Sequence, residues 1–222
     1  MSWTAFAAVF VAFFVTHSIP VRPAVKSRIV AIIGAAGFGM AYSALSIAML
    51  ALLIWAAGQA PFEVLWSQMP WHRHAVHLGM LAVCLILALS LGRPNPFSFG
   101  GARNDEFDPA KAGVIRWSRH PVLLALALWA GLHLLPNGDL AHVIMFGTLG
   151  GFAVIGRRLI DRRKRRVMGA ERWQALRDAT RAAPRFYRPR SWLELVVRLG
   201  AGVVAFATLL WLHPVVIGVP AL

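Results

Sequence analysis

The sequence predicts an all-α, polytopic membrane protein with six transmembrane helices, of which helices four and five form a short hairpin. Three observations predict this. The chain has 222 residues, 58% of them hydrophobic, and a mean hydropathy of +0.62; a soluble domain is nearer half apolar and spreads that surface at helix or strand period. The apolar residues fall into six long stretches, on the scale of the ~20 positions needed to cross ~30 Å of hydrocarbon. Finally, 22 of the 23 Lys and Arg residues lie in three blocks, Arg22 to Arg28, Arg93 to Arg119 and Arg157 to Arg198, with only Arg73 outside them. These are the first, third and fifth connections of a six-span chain, so every basic connection falls on the same side of a bilayer.

The expected spans are Trp3 to Ile19, Ile29 to Ala57, His74 to Leu91, Pro121 to Leu135, Leu140 to Ile155 and Leu193 to His213. Each must be helical, because an unpaired backbone group in hydrocarbon costs several kcal/mol. The first lacks a basic leader and a small-residue cleavage site, so it is expected to be retained as a span. The second is long enough to begin in the interface or to tilt. The fourth and fifth are short and joined by Pro136-Asn137-Gly138-Asp139, a tight turn that places Asp139 to cap the fifth helix. With basic connections in the cytoplasm, both termini are periplasmic, as are the connections Gly58 to Arg73 and Pro136 to Asp139. Trp3, Trp66, Trp71, Trp117, Trp192 and Trp211 lie near span ends, where indole prefers to sit. Small residues four apart (Gly147 and Gly151, Ala127 and Gly131, Ala35 and Gly39) predict close helix contacts. Arg outnumbers Lys about sevenfold and Ala is abundant, as in a GC-rich bacterial genome. The expected location is therefore the bacterial inner membrane. Residues 1–222 read as one integral membrane domain with a basic cytoplasmic connection at about 157–192.

A formal charge of +14 and a pI near 11.7 ordinarily point to nucleic acid. Here the cations flank spans instead of forming a stripe on a folded surface, so no nucleic-acid partner is expected. The run Arg162-Arg163-Lys164-Arg165-Arg166 is expected to hold to anionic lipid at ~1 kcal/mol per residue near the surface, and it reads as a stop-transfer anchor ahead of a specific anion site. Beyond it, Glu171 to Ala182 reads as an amphipathic helix on the membrane, with Trp173 and Leu176 facing inward. One cysteine, Cys84, lies mid-span. Its solitude excludes an internal disulfide and a Cys-based zinc site, and it reads as a small buried hydrophobe.

Eight histidines stand out in so apolar a chain. Ionisable or metal-binding side chains at membrane depth are functional candidates, because packing alone does not recover the cost of burying them. His17 and His120 fall toward the cytoplasmic face, and His77, His133, His142 and His213 toward the periplasmic face. His120 and His133 are 13 residues apart, about 20 Å along a helix. A bis-histidine haem needs two imidazoles at nearly the same depth. By depth, His17 with His120, or His133 with His77 or His213, are easier pairs than His17 with His133. His72, His74 and His142 read as interfacial histidines bonded to water or backbone. The spacing His72-x-His74-x-x-His77 is also one that binds transition metals, since His74 and His77 share a helix face.

Several of these residues form a recognisable set: His17-Ser18 followed by Arg22, Asn95-Pro96-Phe97-Ser98, Arg119-His120-Pro121, Trp129 to His133 with Asn137-Gly138-Asp139, and Gly169 and Trp173 with Thr180 and Pro184. Together they resemble the NnrU family across essentially the whole chain. That family is named for a link to nitrite and nitric oxide reductase expression in denitrifying bacteria. It also resembles 15-cis-zeta-carotene isomerase, a membrane enzyme that holds a b-type haem between histidines. The resemblance implies haem b with His17 and His133 as iron ligands; His120, His213 and His77 are runners-up from depth. The isomerase carries a cysteine three positions before its second histidine, where this chain has Ala130. Arg119-His120-Pro121 further resembles the cofactor motif of isoprenylcysteine carboxyl methyltransferases. Those enzymes continue with Tyr and Gly where this chain has Leu123 and Ala125, and they use an acidic pair where Glu171 stands alone.

Three functions follow as expectations. The first is a haem-b-binding inner-membrane protein supporting denitrification. The second is an isomerase-like haem enzyme acting on a membrane polyene, a hydrophobic small molecule entering from lipid. The third is a non-catalytic assembly or scaffold protein, in which the histidines are structural and the basic fifth connection docks a partner.

Overall fold

The computed structural model describes residues 1–185, 189 and 191–221. Arg188 and Arg190, at the end of the expected basic connection, lie outside the described residues. Among the described residues every long element is helical: α1 (Trp3–Ser18), α2 (Pro23–Gln59), α3 (Pro70–Ser90), the single turn α4 (Val114–Trp117), α5 (Pro121–Leu134), α6 (Leu140–Met168), α7 (Ala170–Ala182) and α8 (Trp192–Val216). Six of them coincide with the six apolar stretches. Four, α2, α3, α6 and α8, are long and apolar enough to cross a membrane. The other two are shorter: α1 has 16 residues and α5 has 14. They rise only ~24 Å and ~21 Å, less than the ~30 Å of hydrocarbon.

Two elements differ from the expected spans. In α2 the helix is broken at Gly34, which has φ +73°, a conformation that glycine adopts without steric cost. The basic turns from Pro23 to Ile33 therefore precede a kink instead of continuing one straight span. In α6 the helix runs on past Ile155 to Met168, so Arg162 to Arg166 form a helical extension of the span and not a loose connection.

The contacts divide the chain into two units, Met1–Trp66 with Gly138–Met145, and Ser67–Asn137 with Phe146–Leu222. In the first, α1 packs on α2. Phe6 meets Phe10 edge-on at 5.1 Å, and Phe13 stacks on His17 at 4.7 Å. Tyr42 lies parallel to Phe38 and donates its hydroxyl to the His17 carbonyl at 3.0 Å. The connection after α2 is pinned to the turn before α6. Leu65 N donates to Gly138 O at 2.7 Å, and Leu140 N donates to Glu63 O at 2.8 Å. Asp139 caps α6 as expected, its carboxylate accepting from His142 N at 3.2 Å. A Cβ at Gly138 would press into the Trp66 carbonyl oxygen, and backbone cannot rotate away as a side chain can. Gly138→Ala is expected to destabilise the chain by about 2–3 kcal/mol, read as a lower thermal midpoint in detergent.

In the second unit α3 packs against both α5 and α8. The contacts use glycines other than those the four-residue spacing singles out. Gly79 lies under the Leu132 side chain, Gly150 faces Ala130 Cβ, and Gly202 faces Leu85 and Ala88, whereas Gly39, Gly131, Gly147 and Gly151 have nothing within 4 Å of an added Cβ. The spacing identifies a small-residue stripe without saying which stripe a neighbour covers. Arg198 of α8 ties down the end of α3, donating to the carbonyls of Ala88 at 2.8 Å and Leu91 at 3.0 Å.

The residues between α3 and α5 fold into a small core of their own with α7. Phe97, fully buried, is joined by Ala112, Ile115 and Trp173, with Phe107, Met168 and Leu176 packed against them. Phe97 meets Phe107 edge-on at 5.7 Å and Trp173 at 6.4 Å. The inward face of α7 is the one its periodicity predicts, with Trp173 buried and Leu176 turned to the core. Its partner is this connection.

Candidate functional site

Histidine 120 is positioned by the residues on either side of it. Pro121 disfavours helix for the residue before it and starts α5 with φ already set. His120 accordingly sits outside the helix at φ −121°, ψ 64°, its carbonyl accepting from Leu124 N at 2.9 Å. Opposite it, Asn95 organises the turn after α3. The buried Asn95 side chain accepts from Phe97 N at 3.1 Å and donates to Arg119 O at 3.0 Å, and Asn104 Oδ1 accepts from Asn95 N at 2.7 Å. The turn brings Ser98 against the imidazole.

Both nitrogens of His120 are occupied. Nδ1 lies 3.0 Å from Ser98 Oγ and Nε2 lies 3.0 Å from Asp161 Oδ1. The second Asp161 oxygen accepts from an Arg119 terminal nitrogen at 2.7 Å. Asp161 stands beyond Ile155, past the apolar part of α6. Burial alone would raise its carboxyl; the hydrogen bonds from His120 and Arg119 and the charge of Arg119 outweigh burial and bring it to about 2. The Arg119 guanidinium lies 5.7 Å from the centre of the Trp173 ring, and that of Arg177 lies 5.4 Å from it.

A Ser-His-Asp chain has the composition of a nucleophilic relay. Here Ser98 is 3% and His120 2% exposed, so no substrate reaches the hydroxyl. The arrangement is a polar clamp that fastens the connection after α3 and the start of α5 to α6. It draws together Asn95 to Ser98, Arg119 to Pro121 and Trp173, which the sequence singles out separately. Asp161 was missed. Its only signal is that it is the one acid inside the cationic stretch Arg157 to Arg166.

The remaining histidines are distributed between the two units. His17, in the first, carries no ring hydrogen bond among the described residues and lies between Phe13 and Tyr42. His133, in the second, donates from Nδ1 to Trp129 O at 2.8 Å. Trp129 and Phe146 stand against its ring, each with centroids within 5.4 Å. A carbonyl partner fixes the proton on Nδ1 and leaves the Nε2 lone pair free, the state in which imidazole binds iron. His213 has the same tautomer through Val219 O at 2.6 Å. His77 uses Nε2 on Ala221 O at 2.7 Å. The residues at His17 and His133 thus fit an axial ligand role one by one, whereas His120 has no nitrogen left for a metal. The His72-His74-His77 spacing does not assemble a metal site: among the described residues no three metal-binding side chains converge, and His72 Nδ1 accepts from Met69 N at 3.2 Å.

A chain whose long described elements are helical, with four apolar helices of membrane-crossing length and a polar clamp past the apolar part of α6, is a membrane protein in class. The sequence model of the family described as NnrU protein matches residues 5–221. The chain belongs to the NnrU family. No curated protein and no solved structure matches it.

Proposed function

We propose that this NnrU-family chain is a six-span protein of the bacterial inner membrane that binds haem b and supports expression of nitrite and nitric oxide reductases. In this reading α1 and α5 complete the spans, with α5 and α6 as the hairpin, and both termini are periplasmic. The basic α6 extension and α7 lie at the cytoplasmic surface against anionic lipid. His17 and His133 are the residues that would hold the haem iron, with His213 and His77 next in line. The observation that carries the reading is His133: its Nδ1 is committed to Trp129 O, leaving Nε2 as an unprotonated donor among aromatic rings in an apolar helix. Such a nitrogen serves iron better than it serves packing. Bound haem supplies one-electron redox chemistry; the chain orients the imidazoles and keeps water from them.

In a denitrifying host lacking its own family member, the wild-type chain is expected to restore nitrite and nitric oxide reductase activity under oxygen limitation, and His133→Ala to leave it at the deletion level. Full restoration by His133→Ala would instead support the assembly or scaffold reading. That second reading is favoured by the clamp, since Ser98, His120, Asp161 and Arg119 form one connected set of hydrogen bonds at the basic end of the second unit. It predicts that charge reversal across Arg162 to Arg166 abolishes function.

A further inference from the structure

Sharing Arg119 with the clamp is a cavity of about 190 Å³ lined by Arg116, Arg119, Arg177 and Arg181, with Thr180 and Trp117. Two elements supply the cations: the segment entering α5 gives Arg116 and Arg119, and one face of α7 gives Arg177 and Arg181 at helical i, i+4 spacing. Like charges so placed repel one another, and the fold offers little to offset them. Asp161 accepts from Arg119, and the exposed Asp178 lies 3.3 Å from Arg177 Nε. Arg116 spends Nε on Ala183 O at 2.9 Å, which fixes the guanidinium without neutralising it. Arg181 has no acidic partner among the described residues.

Two further donors at this place are unsatisfied. Arg119 Nε is buried with no acceptor, and so is Nε1 of Trp173, the 5%-exposed indole on which the Arg119 and Arg177 guanidiniums rest. A buried donor without an acceptor costs ~1–3 kcal/mol. Four guanidiniums with spare N–H groups around a space of this size are matched by a tetrahedral oxyanion, which accepts from several forks at once. At ~30 Å³ per water the cavity has the volume of about six waters, enough for a phosphoryl group with its ester atoms.

We propose that this cavity is a binding site for a phosphate-bearing anion, held by Arg116, Arg119, Arg177 and Arg181. Its place beyond the apolar part of α6 makes two sources available, the headgroup of an anionic phospholipid or a free phosphoryl compound in the cytoplasm. The site is independent of haem, and both arms of the test are carried out on the full chain.

The test is thermal unfolding of the purified chain in neutral detergent, titrated with inorganic phosphate, and in a parallel arm with phosphatidylglycerol against phosphatidylcholine. Either phosphate or phosphatidylglycerol is expected to raise the melting temperature; phosphate alone sufficing identifies a free phosphoryl ligand, and a response confined to phosphatidylglycerol identifies a lipid headgroup. The double variant Arg177→Gln/Arg181→Gln is expected to weaken the response about tenfold in concentration, the effect of losing one pair of charge-assisted contacts. Arg22→Gln/Arg28→Gln removes the same charge from exposed positions at the start of α2, outside the lipid-binding run of α6, and is expected to leave the response unchanged. Because Arg177 also rests on Trp173, the single variant Arg181→Gln, whose side chain is exposed and unpaired, repeats the test without touching the core. No response from the wild type to either probe, or equal weakening in the two double variants, would overturn the site.

Discussion

Replacing Asp161 by alanine is expected to cost about 2–3 kcal/mol of stability. Among the described residues the carboxylate is the only acceptor for His120 Nε2 and for the Arg119 terminal nitrogen. Removing one partner of a buried ion pair costs ~3–5 kcal/mol, because the other charge stays buried and unpaired. The Arg119 and Asp161 side chains are 26% and 23% exposed, so water recovers part of that. Asp161→Asn keeps an oxygen for one donor and is expected to lose roughly half as much.

The pH dependence separates the charge from the shape. Asp161 is held at about 2 against an ordinary 3.8, so its ionised form favours the folded state. That contribution is fully present above the unfolded value and disappears as pH falls through the folded one. Between pH ~4 and ~2 the wild type should therefore lose stability that Asp161→Asn does not have to lose. Melting temperatures of both proteins across that interval check the prediction; parallel acid curves would contradict it.

His133→Ala is expected to remove bound haem, lowering haem per folded chain at least tenfold, and His17→Ala to do the same or to leave a five-coordinate spectrum. The reason is local to each residue. His133 presents a fixed tautomer with a free Nε2 between the rings of Trp129 and Phe146, and alanine removes that nitrogen. His120→Ala makes the contrasting case. Its imidazole is bonded on both sides, so this variant should be less stable while keeping the haem content of whatever folds. If His120→Ala lost haem and His133→Ala retained it, the ligand assignment would fall.

The positions of the helices were legible because a span is a local property: apolar length and flanking charge are written in consecutive residues. So was the inward face of α7, since Trp173 and Leu176 lie three apart on a short amphipathic helix. Asp161 was not legible as a partner. It is 41 residues from His120, and nothing in a run of arginines says which distant donor its one carboxylate meets. The glycine contacts failed for a related reason: Gly147 and Gly151 have the spacing, but it is Gly150 that Ala130 covers, because spacing fixes a stripe and not the direction of the neighbour. The break at Gly34 carried no signal beyond a glycine in a long apolar run. For the histidines, depth favoured pairs other than His17 with His133, and only the resemblance brought those two together; bonding then separated His133 from His120.

The claim on which the account turns is that an imidazole in this membrane chain carries iron. The direct measurement is the visible spectrum of the protein purified in detergent from haem-replete cells, oxidised and then reduced with dithionite. A Soret band that shifts on reduction, with split α and β bands at about one haem per chain, is the predicted result. A colourless protein that stays folded and gains no such bands when haem is added would contradict it.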